Sequence, residues 1–139
     1  MMLVSHPGRG AWACRRLVLF VMMSAVILLP WIVYLAVSLP PTASLRHWSA
    51  VWVGLDAGEA IGLAGTAWLA LRRDRRVALV AVSTATMLVL DAWFDVCTSP
   101  AGQSYAFALT DMVIELAEAA ACLAVGWFVW RDTSGAVSR

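Results

Sequence analysis

Carboxylate side chains recur along the most apolar parts of this 139-residue chain. Seven of its nine acidic residues lie within or at the edge of long hydrophobic runs: Asp56, Glu59, Asp91, Asp95, Asp111, Glu115 and Glu118. No arginine accompanies them there, and the chain has no lysine. Carboxylates without a basic partner can bind a proton, a hard divalent ion such as Ca²⁺, Mg²⁺ or Mn²⁺, or an organic cation flanked by aromatic rings. The sequence therefore predicts a cation-binding site made of these seven residues.

The spacing of the acids places each group on one face of a helix. Asp111, Glu115 and Glu118 stand at i, i+4 and i+7, Asp91 and Asp95 at i and i+4, and Asp56 and Glu59 at i and i+3. Side chains at these spacings are neighbours on a helix. If all three stripes turn inward, they form one acidic pocket that opens to one side of a membrane. Like charges at such short range cannot all be ionised, so the group is expected to share protons.

The composition indicates that much of the chain is surrounded by lipid. Hydrophobic residues make up 62% of the chain and charged residues 14%, against about 45–50% and about 25% in soluble domains. Four apolar runs are long enough to cross a hydrocarbon core of about 30 Å: Leu17–Leu39, Trp48–Leu71, Val77–Cys97 and Tyr105–Trp130. Backbone groups in lipid must be satisfied within each segment. We therefore predict an all-α fold, a single integral membrane domain over 1–139 that forms a bundle of four transmembrane helices.

Arginine placement predicts the orientation. Arg9, Arg15 and Arg16 precede the first run, Arg72, Arg73, Arg75 and Arg76 fill the second connection, and Arg131 and Arg139 follow the last run. The opposite connections carry only Arg46 and His47. By the positive-inside rule both termini should face the cytoplasm. Exclusive use of arginine and heavy use of Ala, Val, Leu and Gly suggest a GC-rich bacterial genome, and hence the bacterial inner membrane. The net charge of +1 offers no basic surface for nucleic acid.

Several other residues are assigned supporting roles. The small-residue stripe Gly54, Gly58, Gly62 and Gly65 should allow close helix packing. Tyr34 is either a hydrogen-bond partner of the acids or an ordinary interfacial tyrosine. Thr84 shares the helix face of Asp91 and is expected to support the site.

For two of the acids a structural role is an equal alternative. Asp95 lies near a water interface and can simply be solvated. If the fourth span begins at Met112, Asp111 is a helix N-terminal residue favoured by the helix dipole. The other five acids carry the prediction of a functional or metal-holding site, against the alternative of a protonated polar core that joins the helices.

Three other functions remain open at this stage. Zinc is less favoured, because His47 and Cys97 are the only softer ligands at the acidic end. Asp91 and Asp95 form a D-x-x-x-D pair, the spacing with which intramembrane prenyltransferases hold Mg²⁺ against a diphosphate. No arginine or lysine stands there to bind the phosphates and no other catalytic motif occurs, so an enzyme is less favoured. The glycine stripe could instead face a second copy or another membrane protein, which would make the chain an assembly subunit.

The strings "WVGLDAGEA", "LRRDRR" and "DAWFDV" carry a resemblance. By these strings the chain resembles small four-span integral membrane proteins of actinobacteria, over nearly all of Trp31 to Trp130. That group brings no established activity, so the resemblance implies the four-span fold and nothing about chemistry. The quarters of the four runs nearest the arginines contain no carboxylate, so no second half of a transport route is visible, and binding is therefore favoured over transport.

Overall fold

Four helices make up the described structure. The computed structural model describes the backbone of residues 9–38 and 47–137 and the side chains of residues 12–38 and 47–134. The helices are α1 (Arg9–Ser38), α2 (Trp48–Leu71), α3 (Val77–Thr98) and α4 (Gln103–Val137). The all-α prediction is confirmed, and the predicted bounds of α2 agree with the structure.

The first and last helices of the chain are longer than predicted. Helix α1 begins at Arg9 instead of Leu17, and α4 runs from Gln103 to Val137 instead of from Tyr105 to Trp130. Both extensions continue beyond the apolar run into polar sequence, where helix formation leaves no hydropathy signal. Leu39, Arg46 and Arg139, which entered the predictions, lie outside the described residues.

Three helices are long and apolar enough to cross a membrane. They are Trp12–Ser38 within α1, Val77–Thr98, and Gln103–Ser134 within α4, with 27, 22 and 32 residues. Helix α2 has 24 residues but does not belong to this set, since Asp56 and Glu59 lower its hydropathy. The three apolar helices indicate a membrane protein.

The packing order puts α2 and α4 at the centre. Helix α2 packs against α1 and α3, α4 packs against the same two helices, and α2 also contacts α4. Within the described residues α1 and α3 do not contact each other. Helices α2 and α4 therefore form the short diagonal of the bundle, and side chains that face along this diagonal are removed from the surface.

The glycine stripe of α2 is used inside the chain. Gly58, Gly62 and Gly65 face side chains of α3, and a Cβ at Gly62 would lie 2.5 Å from Thr84 Oγ1. Gly54 has no neighbour within 4 Å of the Cβ that an alanine would carry. Three of the four predicted packing glycines thus bring α2 and α3 together, and Gly54 does not.

Each helix buries an apolar side chain in its middle part. These side chains are Val21, Leu63, Leu88 and Val125, each with at most 1% of its surface exposed, and we refer to them as the apolar layer. All four belong to one continuous hydrophobic core. Along every helix the member lies in sequence between the polar residues of the acidic half and the arginines.

Helix α2 ends in a hydrogen-bonded motif that begins the short connection to α3. The N–H of Asp74 donates to Leu69 O at 3.0 Å and the N–H of Arg73 donates to Ala70 O at 3.1 Å, which is the Schellman pattern. Arg73 has φ of 51°, a left-handed conformation that glycine usually supplies at this position. Asp74 Oδ1 then accepts the N–H of Arg76 at 2.9 Å and starts the turn into α3.

Candidate cation site

Three buried carboxylates meet at the interface of α2 and α3. Asp56, Glu59 and Asp91 each offer one carboxylate oxygen, and these oxygens all lie within 4.8 Å of one another. The three side chains are 4%, 2% and 5% exposed. Acidic side chains are almost never buried to this extent unless they are paired. We call these three residues the triad.

The sequence of α2 explains how two acids reach one place. Asp56 and Glu59 are one helical turn apart and share a face. The glycines of the same helix lie on a different face, where they let α3 approach closely. Asp91 then completes the triad from α3, three residues after the apolar-layer member Leu88. Close packing of α2 on α3 is therefore what brings the three carboxylates together.

The acids of α4 extend the triad across the short diagonal. The carboxyl group of Glu115 lies within hydrogen-bonding reach of Asp91. Glu118 is buried, lies near Glu59, and contacts the buried hydroxyl of Ser24 from α1. All four helices thus contribute polar groups to one site.

Asp95 and Asp111 lie at the edge of this site and are half-buried. Helix α4 begins at Gln103, so Asp111 is more than two turns inside it. The interpretation of Asp111 as a helix N-terminal residue is therefore wrong. Asp95 occupies the last turn of α3 and its backbone carbonyl accepts the N–H of Ser99 at 2.9 Å. We refer to all seven acids together as the acidic cluster.

Several of these buried oxygens have no hydrogen-bond partner. They are Asp56 Oδ2, Glu59 Oε1, Asp91 Oδ1 and Glu115 Oε2. The one ion pair among the described residues, Arg73 with Asp132, lies at the other end of the bundle. An ionised carboxylate that is buried without a partner costs several kcal/mol. The acidic cluster therefore requires a compensating charge, either shared protons or a bound cation.

The separation of the triad oxygens suits a hard divalent ion. Calcium binds oxygen ligands at about 2.3–2.6 Å, so two ligands on opposite sides of the ion lie about 5 Å apart. The observed limit of 4.8 Å means that one ion could contact all three carboxylates without a movement of the helices. Glu115 and water would supply further oxygens, as six to eight are usual for Ca²⁺ and six for Mg²⁺.

The structure bears on the two residues that were expected to support the site, and for Tyr34 it favours the interfacial alternative. Tyr34 is 55% exposed and packs on Trp31, with ring centroids 5.4 Å apart, so it does not reach the acids. Thr84 is buried, but its hydroxyl donates to Val80 O at 2.8 Å and its side chain packs against Gly62. Thr84 therefore serves helix packing.

Sequence reasoning missed Ser24, which is buried on the inward face of α1 and lies near Glu118. For Ser24 the smaller side chain was the signal, because a serine fits a packed helix interface better than a tyrosine.

Comparison of the whole chain with protein-family models, with curated proteins and with solved structures found no match in any of the three. The resemblance to small four-span actinobacterial proteins therefore stays a prediction. The function has to be argued from the geometry of the acidic cluster itself.

The geometry of the site argues against zinc binding and against the binding of a diphosphate. His47 and Cys97 are exposed, and the one group of potential metal ligands found among the described residues is the triad, which holds only oxygen ligands. The D-x-x-x-D pair is divided between a buried Asp91 and a half-buried Asp95. The described arginines nearest in sequence, Arg76 and Arg131, lie beyond the apolar layer. A diphosphate at Asp91 would thus meet only negative charge.

Proposed function

We propose that this protein is a four-span membrane protein that binds a hard divalent cation in the acidic cluster. The observation that carries the proposal is the triad of buried carboxylates, whose oxygens converge within 4.8 Å and have no basic partner among the described residues. Oxygen-only ligands favour Ca²⁺, Mg²⁺ or Mn²⁺. The triad residues are the principal ligands, and Glu115 and Glu118 adjust the charge around them.

In this proposal α2 is the fourth transmembrane helix. An acidic residue at the centre of a lone helix costs about 2.5–3.5 kcal/mol on insertion scales. In the bundle, Asp56 and Glu59 are buried against α3, and a bound cation would neutralise much of their charge. Packing and the ion together would keep α2 in the membrane although it is not among the three helices that are apolar enough to cross one.

The arginine distribution supports an orientation. With arginines concentrated at one end, the positive-inside rule assigns that end to the cytoplasm, and the acidic cluster opens to the outer side of a bacterial inner membrane. The apolar layer of Val21, Leu63, Leu88 and Val125 lies on the cytoplasmic side of the cluster. This layer favours binding over transport, because a cation would have to pass fully buried hydrocarbon to leave inward.

The assembly hypothesis loses its main support. It relied on the glycine stripe as a surface for a partner, and Gly58, Gly62 and Gly65 pack against α3 of the same chain. A homodimer, or association with another membrane protein through a different face, stays a prediction from the sequence. An enzymatic role for D-x-x-x-D is less favoured because no basic side chain among the described residues lies at the site to bind a phosphate.

Thermal unfolding of the protein in detergent tests the proposal. The melting temperature is measured with a chelator and with Ca²⁺, Mg²⁺ or Mn²⁺ in turn. A cation at about 100 times its dissociation constant adds about 2.7 kcal/mol to the free energy of unfolding. We expect one of these ions to raise the melting temperature selectively. Equal melting temperatures in chelator and in every ion would contradict the proposal and favour a cluster neutralised by shared protons.

A further inference from the structure

A second site of different chemistry lies at the arginine end. A crevice of about 390 Å³ opens between the first turns of α1, the end of α2 and the last turns of α4. Its walls are largely apolar and its polar groups are few. The lining residues are Cys14, Arg15, Val18, Leu19, Met22, Ala70, Leu71, Arg73, Val129 and Asp132. The crevice is independent of the acidic cluster, because the apolar layer lies between them.

The charges at this crevice are incompletely paired. Arg73 Nη1 lies 3.4 Å from Asp132 Oδ2, in an exposed ion pair. Arg15 has no carboxylate partner among the described residues. The two guanidinium groups and the one carboxylate give the crevice a net charge of +1. An anion of single negative charge would balance it.

The other arginines at this end are engaged differently. The guanidinium of Arg72 lies 4.3 Å from the ring centroid of Trp68, and that of Arg131 lies 5.5 Å from the ring of Phe128. Neither lines the crevice. Arg73, in contrast, lines the crevice. Its left-handed backbone, at φ of 51°, belongs to the Schellman motif that ends α2.

We propose that this crevice binds an anionic phospholipid of the surrounding membrane. Arg15 and Arg73 would bind the phosphate, and the apolar wall formed by Val18, Leu19 and Met22 would contact an acyl chain. Basic pockets between transmembrane helices at the positively charged side commonly bind anionic lipid headgroups. An apolar wall beside a basic rim, at the level where α1 enters the membrane, matches a lipid better than it matches a free phosphate.

Native mass spectrometry in detergent measures the lipid preference. Phosphatidylglycerol and phosphatidylcholine with identical acyl chains compete for the protein, so that only the headgroup charge differs. Each basic residue near a lipid surface contributes about 1 kcal/mol, so the one uncompensated positive charge predicts a preference of about fivefold for phosphatidylglycerol, and two such charges in D132N about thirtyfold. The double variant R15Q/R73Q should lose this preference.

The matched control is R16Q/R76Q. It removes the same two charges from the same two regions, but neither Arg16 nor Arg76 lines the crevice, and it should keep the preference. D132N leaves Arg73 without its carboxylate and should increase the preference. This variant keeps the proposal testable if R15Q/R73Q does not fold.

Three outcomes would overturn the proposal. Equal binding of the two lipids by the unmodified protein would show that the crevice does not select anions. Equal loss in both double variants would attribute the preference to general surface charge. Displacement of phosphatidylglycerol by millimolar inorganic phosphate would show that the arginines bind phosphate alone, without the acyl chain.

Discussion

The two ends of the bundle handle charge in opposite ways. At the arginine end the charged groups are exposed and engaged by neighbours: Arg72 lies over Trp68 and Arg73 pairs with Asp132. In the acidic half, Asp56, Glu59 and Asp91 are buried, each has an oxygen without a hydrogen-bond partner, and one oxygen of each lies within 4.8 Å of the others. Exposed charges are solvated, so they are stable with or without a bound ion. Buried carboxylates of one sign need protons or a cation, and this difference is the physical reason to locate a cation site in one half only.

The apolar layer maintains this difference. Val21, Leu63, Leu88 and Val125 are almost fully buried and lie between the acids and the arginines of the described helices. Among the described residues no arginine pairs with these acids. Shared protons or a bound cation would therefore have to compensate their charge.

Removal of the triad charges should have the largest effect on the difference between the two ends. In E59Q/D91N the addition of the stabilising cation should no longer raise the free energy of unfolding, so the gain of about 2.7 kcal/mol expected at saturating ion disappears. The amides keep the size of the side chains while they remove both charges. Thermal unfolding with and without the ion measures the change. D132N removes a carboxylate from the arginine end and should retain the full response; an equal loss in D132N would argue against a local site.

The glycine stripe offers the second test, since it positions the triad. In G62A the new methyl group would lie 2.5 Å from Thr84 Oγ1 and should separate α2 from α3 at a cost of about 1–3 kcal/mol. The matched control is G54A in the same helix, where the methyl group meets no atom within 4 Å, and its stability should be unchanged or slightly higher. Thermal unfolding measures both. Equal stability of the two variants would contradict the packing role of the stripe.

Proton competition gives the third test. Metal ligands must be deprotonated, so cation binding to a crowded carboxylate site releases protons. If one proton is released per ion, the dissociation constant should fall about tenfold, equivalent to about 1.4 kcal/mol, for each unit of pH increase over the range in which the site is protonated. Calorimetric titrations at three pH values measure this dependence. A dissociation constant independent of pH would mean that the cluster is already fully ionised without the ion.

The smallest effect is expected at the arginine end. The Arg73–Asp132 pair has side chains that are 68% and 53% exposed, and exposed pairs contribute between zero and about 1 kcal/mol. D132N should therefore change the free energy of unfolding in chelator by less than about 0.5 kcal/mol. Thermal unfolding at low and high salt measures it. A loss of 2 kcal/mol or more would show that charges at this end are as critical as those in the acidic half.

Hydropathy and helical periodicity were sufficient to predict much of the fold and the convergence of the acids. The helix bounds of α2 followed from charges and prolines at its ends, and the inward orientation of the carboxylates followed from their spacing. The extensions of α1 and α4 were missed because polar helix turns outside lipid carry no apolar signal. The N-terminal extension of α4 places Asp111 well inside the helix.

Tertiary detail could not be predicted from helical periodicity. Periodicity assigns residues to a face, but not the neighbour that the face meets, so the role of Tyr34 stayed open between two alternatives and Ser24 was not assigned to the site. The same gap concealed the use of the glycine stripe: spacing predicted close packing, and only the structure shows that α3 of the same chain fills it. Thr84 shares the face of Asp91, but its side chain packs against Gly62 of α2, a contact that spacing alone could not predict.

Direct measurement of ion stoichiometry tests the central claim. The purified protein is dialysed to equilibrium against the ion that stabilises it most, and the bound ion is quantified by elemental mass spectrometry beside E59Q/D91N. We expect one divalent ion per chain in the unmodified protein and none above background in the variant. No bound ion in the unmodified protein, or equal amounts in both proteins, would contradict a cation site at the triad.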